Sequence, residues 1–155
     1  MTNEQIISKL IEKNITIATA ESCTGGSLGK IITSVSGVSS IYGYGFITYA
    51  NEAKEKILGV KHETLEKFGA VSSETAIEMA KGARQVSGSD IAVSVTGIAG
   101  PGGGTPEKPV GLVYIAYADK DGETFKKLNL SGNRDEVRCK TCDEVFQLIK
   151  EKLNF

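Results

Sequence analysis

Ile15-Thr16-Ile17-Ala18-Thr19-Ala20-Glu21-Ser22-Cys23-Thr24-Gly25-Gly26-Ser27-Leu28-Gly29-Lys30-Ile31-Ile32-Thr33-Ser34 decides the fold. Its β-branched start reads as a strand over 15–20, and its apolar spacing after the glycines reads as a helix over 25–34. Ser22 therefore stands on a strand-to-helix turn, just ahead of a helix N-terminus. Gly25 and Gly26 permit a close backbone approach and unusual dihedrals. A helix start offers unpaired N–H groups and partial positive charge. That setting suits either anion binding or an oxyanion held beside a nucleophile.

Tyr49-Ala50-Asn51-Glu52-Ala53-Lys54 follows a second strand-like run over 44–50 and favours the nucleophile. Asn51 is a good N-cap, which puts Lys54 at the third position of a helix over 52–58. An ammonium at the positive end of a helix dipole is disfavoured, and partial burial in a closed pocket adds to this, so its pKa is expected to fall. A lysine so tuned serves as general base toward serine. Tyr49 sits where its hydroxyl would bridge the two.

Other segments fall in order along the chain: Gly69-Ala70-Val71-Ser72, Thr96-Gly97-Ile98-Ala99-Gly100-Pro101, Lys108-Pro109-Val110-Gly111 and Gly132-Asn133-Arg134. With Ala20–Gly26 and Tyr49-x-Asn51-x-x-Lys54, the chain resembles the CinA C-terminal domain family from about Ile15 to its last helix. Enzymatic members of that family are nicotinamide mononucleotide amidohydrolases. The resemblance implies a three-layer α/β/α sandwich, with Ser22 as nucleophile, Lys54 as base and Tyr49 assisting. Val35-Ser36-Gly37-Val38-Ser39-Ser40 departs from the Pro-Gly-Ser-Ser common there, and Ala50 replaces a usual serine. Neither change touches the triad, though the first bears on the pocket rim.

At 155 residues one core and one domain are expected. A net charge of -1 argues against a general nucleic-acid or membrane-surface binder. No apolar run is long enough to span a bilayer, and the first residues lack signal-peptide features, so the cytoplasm is expected. The three cysteines, Cys23, Cys139 and Cys142, do not suggest a disulfide framework. Cys139-Lys140-Thr141-Cys142 lies within a helical pattern, away from the strand-to-helix context of redox motifs. His62 is the sole histidine, which disfavours a structural zinc site. Neither metal nor organic cofactor is expected. The resemblance implies a small nucleotide as partner, and among assemblies a homodimer is the favoured expectation.

A first helix over 3–13, a short helix near 62–68 and a helix capped by Ser73 and running to about Val86 complete the early pattern. A buried strand runs over 90–95. Strands over 110–118 and 123–130 form an antiparallel hairpin about Asp119-Lys120-Asp121-Gly122. A last helix covers about 134–153. Five strands interleaved with helices give an α/β fold with a mixed sheet covered on both faces.

The Gly97–Pro109 loop is too long for a simple connection. Its glycines expose N–H groups fit to hold phosphate or line a pocket, and it is mobile enough for a lid. Arg134 and Arg138 share one helix face and suit a phosphate, with a surface ion pair to Asp135 or Glu136 as the competing use. Tyr42 is placed to pack on a substrate ring, whereas Phe46 suits the core. Cys23, Thr24, Gly25, Gly26, Asn51, Thr96, Gly97, Gly100, Gly102, Arg134 and Arg138 are the candidates for holding the oxyanion or the substrate. Ser27-Leu28-Gly29-Lys30 matches S-x-x-K but lacks that motif's S-D-N and K-T-G companions. The same stretch is no P-loop, having Ile31 where the magnesium-binding hydroxyl belongs. A non-catalytic nucleotide-binding or regulatory module is the rival reading, in which the Ser22 turn only binds phosphate.

Overall fold

The computed structural model describes all 155 residues. The elements run α1 (Asn3–Glu12), β1 (Ile17–Glu21), α2 (Ser27–Thr33), a 3₁₀ turn (Val38–Ser40), β2 (Tyr44–Ile47), α3 (Asn51–Leu58), α4 (His62–Phe68), α5 (Ser73–Ser87), β3 (Ile91–Gly97), β4 (Leu112–Asp119), β5 (Gly122–Asn129) and α6 (Arg134–Leu153). One five-stranded sheet has the order β2-β1-β3-β4-β5. β1 pairs in parallel with both β2 and β3, whereas β3–β4 and β4–β5 are antiparallel. This is the mixed α/β sheet with helices on both faces that the pattern of strands and helices implies.

The strands sort their side chains by size. Ile17, Ile91, Val93, Val95, Val113, Ile115 and Tyr117 join the core beneath α1, α2 and α6. Alternate positions, Ala18, Ala20, Ala92, Ala116 and Ala118, meet α3, α4 and α5 on the other face. The period-2 alternation of strands produces this division. Each fully buried Ile or Val contributes about 1.5–3 kcal/mol to the first core. Alanine on the second face lets α5 lie close, and Ser94 Oγ reaches the Ala76 carbonyl across it.

Helix ends follow local chemistry. Thr2 and Asn133 form capping boxes with Gln5 and Glu136. α5 is capped by Ser72 rather than the expected Ser73, because the Ser72 hydroxyl accepts from Thr75 N–H. β2 stops at Ile47, three residues short of the expected end. Residues 48–50 instead turn toward α3.

α2 lies on one face of the sheet and α3 to α5 on the other, so the β1-to-β2 and β2-to-β3 connections run over opposite faces. The carboxyl ends of β1 and β3 flank the resulting crevice, where open α/β sheets place their ligands. Ser22 follows β1, and the glycine-rich loop follows β3.

Candidate active site

Ser22 is gripped from both neighbouring strands. Its N–H donates to Val95 O, extending the β1–β3 ladder. Thr48 N–H donates to Glu21 O and extends the β1–β2 ladder. The carbonyls of Thr48 and Tyr49 thereby come beside the serine, which is 9% exposed. Lys54 is fully buried there. Its Nζ donates to Ser22 Oγ at 3.1 Å, to Thr48 O at 2.6 Å and to Tyr49 O at 3.3 Å.

These three partners match the three protons of an ammonium. Once one proton leaves, two N–H groups keep the two carbonyls and the lone pair faces Ser22. The serine hydroxyl then donates to Nζ, which is the arrangement proton abstraction needs. Burial pushes the Lys54 pKa down to about 8, with Cys23 acting weakly the other way.

The expected helix position of Lys54 needs correcting. The N-cap of α3 is Ala50, which makes no side-chain cap bond, and Asn51 is the exposed first residue of the helix. Lys54 is therefore the fourth helical residue, and its N–H already bonds Ala50 O. Desolvation by burial, the other expected cause, lowers its pKa.

The turn after Ser22 leaves few donors free. Gly25 N–H bonds Ser22 O, and Ser27 N–H bonds Thr24 O. Gly26, Leu28 and Gly29 N–H all bond the buried Glu21 carboxylate. Only the amides of Cys23 and Thr24 lack a protein partner in this turn. The expected oxyanion donors over 23–26 thus reduce to two. Gly25 and Gly26 serve instead through their positive φ angles, 56° and 104°, which shape the bend. The Thr24 hydroxyl is buried without a partner, as is that of Thr48.

Both arginines of α6 come to the site with different tasks. Arg138 Nε donates to Cys23 O at 3.2 Å, and its Nη2 donates to Thr24 O at 2.9 Å. Arg138 therefore holds the carbonyl side of the turn whose amides stay free. Its ion pair with the exposed Asp135 is long, at 3.7 Å. Arg134 donates to Gly100 O at 2.7 Å and to the Tyr49 hydroxyl at 3.3 Å. The Tyr49 hydroxyl thus meets Arg134, and Lys54 reaches Ser22 directly without it.

Cys23, Tyr49, Gly97, Gly100, Gly102 and Arg134 line a cavity of about 210 Å³ together with Ile98, Ala99 and Gly103. Thr96 turns its hydroxyl to Ala70 O and is buried. Tyr42 bonds Thr19 Oγ1 at 2.7 Å on the α2 side. Burial pushes the Cys23 thiol up to about 11, which keeps it neutral and un-nucleophilic near pH 7. A wider cleft of about 470 Å³ between α3 and α5 is lined by Leu58, Lys61 and Glu78 among others, and holds no serine, threonine or cysteine. No three His, Cys, Asp or Glu side chains stand together to hold a metal ion. No helix is long and apolar enough to cross a membrane.

Glu21 and the turn-holding task of Arg138 are the functional features that sequence reasoning misses. An acidic residue five positions ahead of an uncapped helix start was the available signal for Glu21. Nothing local foretells Arg138, which is 115 residues from Cys23.

A serine and a desolvated lysine on a strand-to-helix turn define an α/β protein with a serine–lysine centre. The CinA C-terminal domain profile matches residues 1–153, and the chain belongs to that family. It is 52% identical over 151 residues to a CinA-like protein of Kosmotoga olearia, covering 97% of this chain and 37% of that protein. The chain thus spans little more than a third of the curated relatives it matches. Among solved structures, competence/damage inducible protein CihA from Agrobacterium tumefaciens superposes with a TM-score of 0.94 at 42% identity, covering 99% of this chain and 93% of that one. A CinA superfamily protein from Escherichia coli gives a TM-score of 0.91 at 33% identity, covering 97% and 90%.

Proposed function

We propose that this chain hydrolyses the carboxamide of nicotinamide mononucleotide, giving nicotinic acid mononucleotide and ammonia. The observation that carries the hydrolytic reading is the buried 3.1 Å contact between Lys54 Nζ and Ser22 Oγ. The choice of substrate is supported by the resemblance to the enzymatic members of the CinA C-terminal domain family, to which the chain belongs.

Neutral Lys54 takes the Ser22 proton as Oγ attacks the amide carbon. The developing oxyanion is received by Cys23 and Thr24 N–H, and each such donor is worth about 3–4 kcal/mol in known enzymes. Protonated Lys54 returns its proton to the departing nitrogen. Ammonia leaves, and Ser22 is acylated. Water, deprotonated by Lys54, then attacks the ester, and Ser22 recovers its proton. Arg134 lines the cavity that Cys23 also lines and suits the phosphate as a charge-assisted donor. Tyr49 orients Arg134.

Ser22→Ala tests the proposal by ammonia release from the mononucleotide. Loss of a serine nucleophile costs on the order of a million-fold in turnover. Retention of more than about a tenth of the rate would exclude Ser22, since losing a capping or anion-binding hydroxyl costs only ~1 kcal/mol. A wild-type protein that binds the nucleotide and releases no ammonia would return the chain to the rival reading, a binding module.

A further inference from the structure

Glu21 precedes the nucleophile and is 2% exposed, yet no basic side chain pairs with it. Backbone amides alone satisfy its carboxylate. Oε1 accepts from Gly26 N–H at 3.2 Å and Leu28 N–H at 2.9 Å, and Oε2 accepts from Gly29 N–H at 3.2 Å. These are first-turn donors of α2, whose N-cap Gly26 supplies no side-chain acceptor.

The carboxylate therefore closes the chain from Glu21 to Gly29 into a ring around Ser22. Arg138 holds Cys23 O and Thr24 O from outside that ring. Between the two grips, the free amides of Cys23 and Thr24 have a fixed direction. With its start already occupied by an acid, α2 offers nothing to a second anion.

We propose that Glu21 is a positioning residue for acyl transfer at Ser22, aiming the Cys23 and Thr24 amides and keeping the substrate's anionic group away from the α2 start. The phosphate of a nucleotide must then lie toward Arg134, with its amide toward Ser22. This inference rests on Ser22 being the nucleophile.

The test compares wild type, Glu21→Gln and Glu21→Asp by circular dichroism, steady-state kinetics and the rate of Ser22 labelling by a fluorophosphonate. In the labelling step Ser22 Oγ displaces fluoride from phosphorus, whatever the natural substrate. Glutamine keeps the shape but turns an NH₂ group against a backbone N–H. Aspartate keeps the charge, is one methylene short, and carries the test if the glutamine variant does not fold.

A folded Glu21→Gln is expected to lose at least tenfold in kcat with KM within about threefold, because oxyanion contacts act in the transition state. Labelling should slow in parallel, and Glu21→Asp should fall between. Wild-type kcat and labelling in the folded variants would overturn the positioning role. A raised KM with unchanged kcat would also overturn it, by making Glu21 a substrate contact. Labelling of wild-type Ser22 without ammonia release from the mononucleotide would sink only the substrate, with the Glu21 comparison still read from labelling. An unlabelled wild-type serine would sink both readings.

Discussion

Replacing Lys54 by methionine isolates the free energy stored in the buried ammonium. Lysine titrates near 10.5 when solvated and near 8 in this fold. The gap of about 2.5 pH units corresponds to about 3 kcal/mol. Because the folded pKa is the lower one, the unfolded chain holds the extra proton between pH 8 and 10.5. Wild-type stability should therefore rise with pH through that window and carry the full cost below pH 8. Methionine has similar length and no charge. It leaves Thr48 O and Tyr49 O without the lysine donors, a pH-independent loss of about 1 kcal/mol each. Urea unfolding of both proteins at several pH values from 7 to 10 cancels the titration of all other groups. The difference in unfolding free energy should shift by about 2–3 kcal/mol in favour of wild type across that range. Parallel stability curves would mean that Lys54 titrates like a surface lysine, and the general-base argument would fail with it.

Activity should show the same group. kcat/KM is expected to climb about tenfold per pH unit on the acid side and to level off above about pH 8, the value set by burial of Lys54. Lys54→Arg should be nearly inactive at every accessible pH, because guanidinium does not give up its proton; normal turnover would remove Lys54 as base. Cys23→Ala should keep activity within a few-fold, since the thiol is neutral and only the backbone N–H is needed; loss of a hundredfold would make the side chain a participant. Gly82→Ala gains about 1 kcal/mol of helix propensity, but its Cβ would overlap the Leu58 carbonyl. Thermal melting should therefore show a net loss of stability, and a gain would show that α5 has room to retreat from α3.

The sequence carries the fold legibly because its signals are local. The alternation of Val and Ile with Ala in β3 and β4 and the glycine stops after α3 and α4 each act within a few residues. α6 has its expected bounds because Asn133 and Glu136 form a reciprocal cap. The site was legible where chain direction alone sets it, with Ser22 after β1 and Lys54 on α3. It was less legible where long-range bonds decide. Asn51 looks like a cap, yet the chain reaches α3 directly from the β2 edge and Ala50 takes that position. Arg134 and Arg138 read as one phosphate pair, but the rise and turn of α6 bring one to Gly100 and the other to the Ser22 turn. Of the two causes expected to depress the lysine pKa, burial supplies the shift, while the cap that would have put Lys54 at the third helical position falls to Ala50.

The long reach of Arg138 has a consequence for how the chain acquires competence. The nucleophile turn is tied to β3 through Val95 and to the last helix through residues 114 and 115 positions away. Contacts of such separation carry a large loop-closure cost and form slowly compared with local helices. Until α6 docks, the Cys23 and Thr24 carbonyls lack their guanidinium partner and the short-range Glu21 bonds hold the turn. Turnover therefore reports complete assembly. Without α6 the turn would lose both the guanidinium on the Cys23 and Thr24 carbonyls and the core that Val137, Val145, Phe146 and Ile149 supply beneath the sheet.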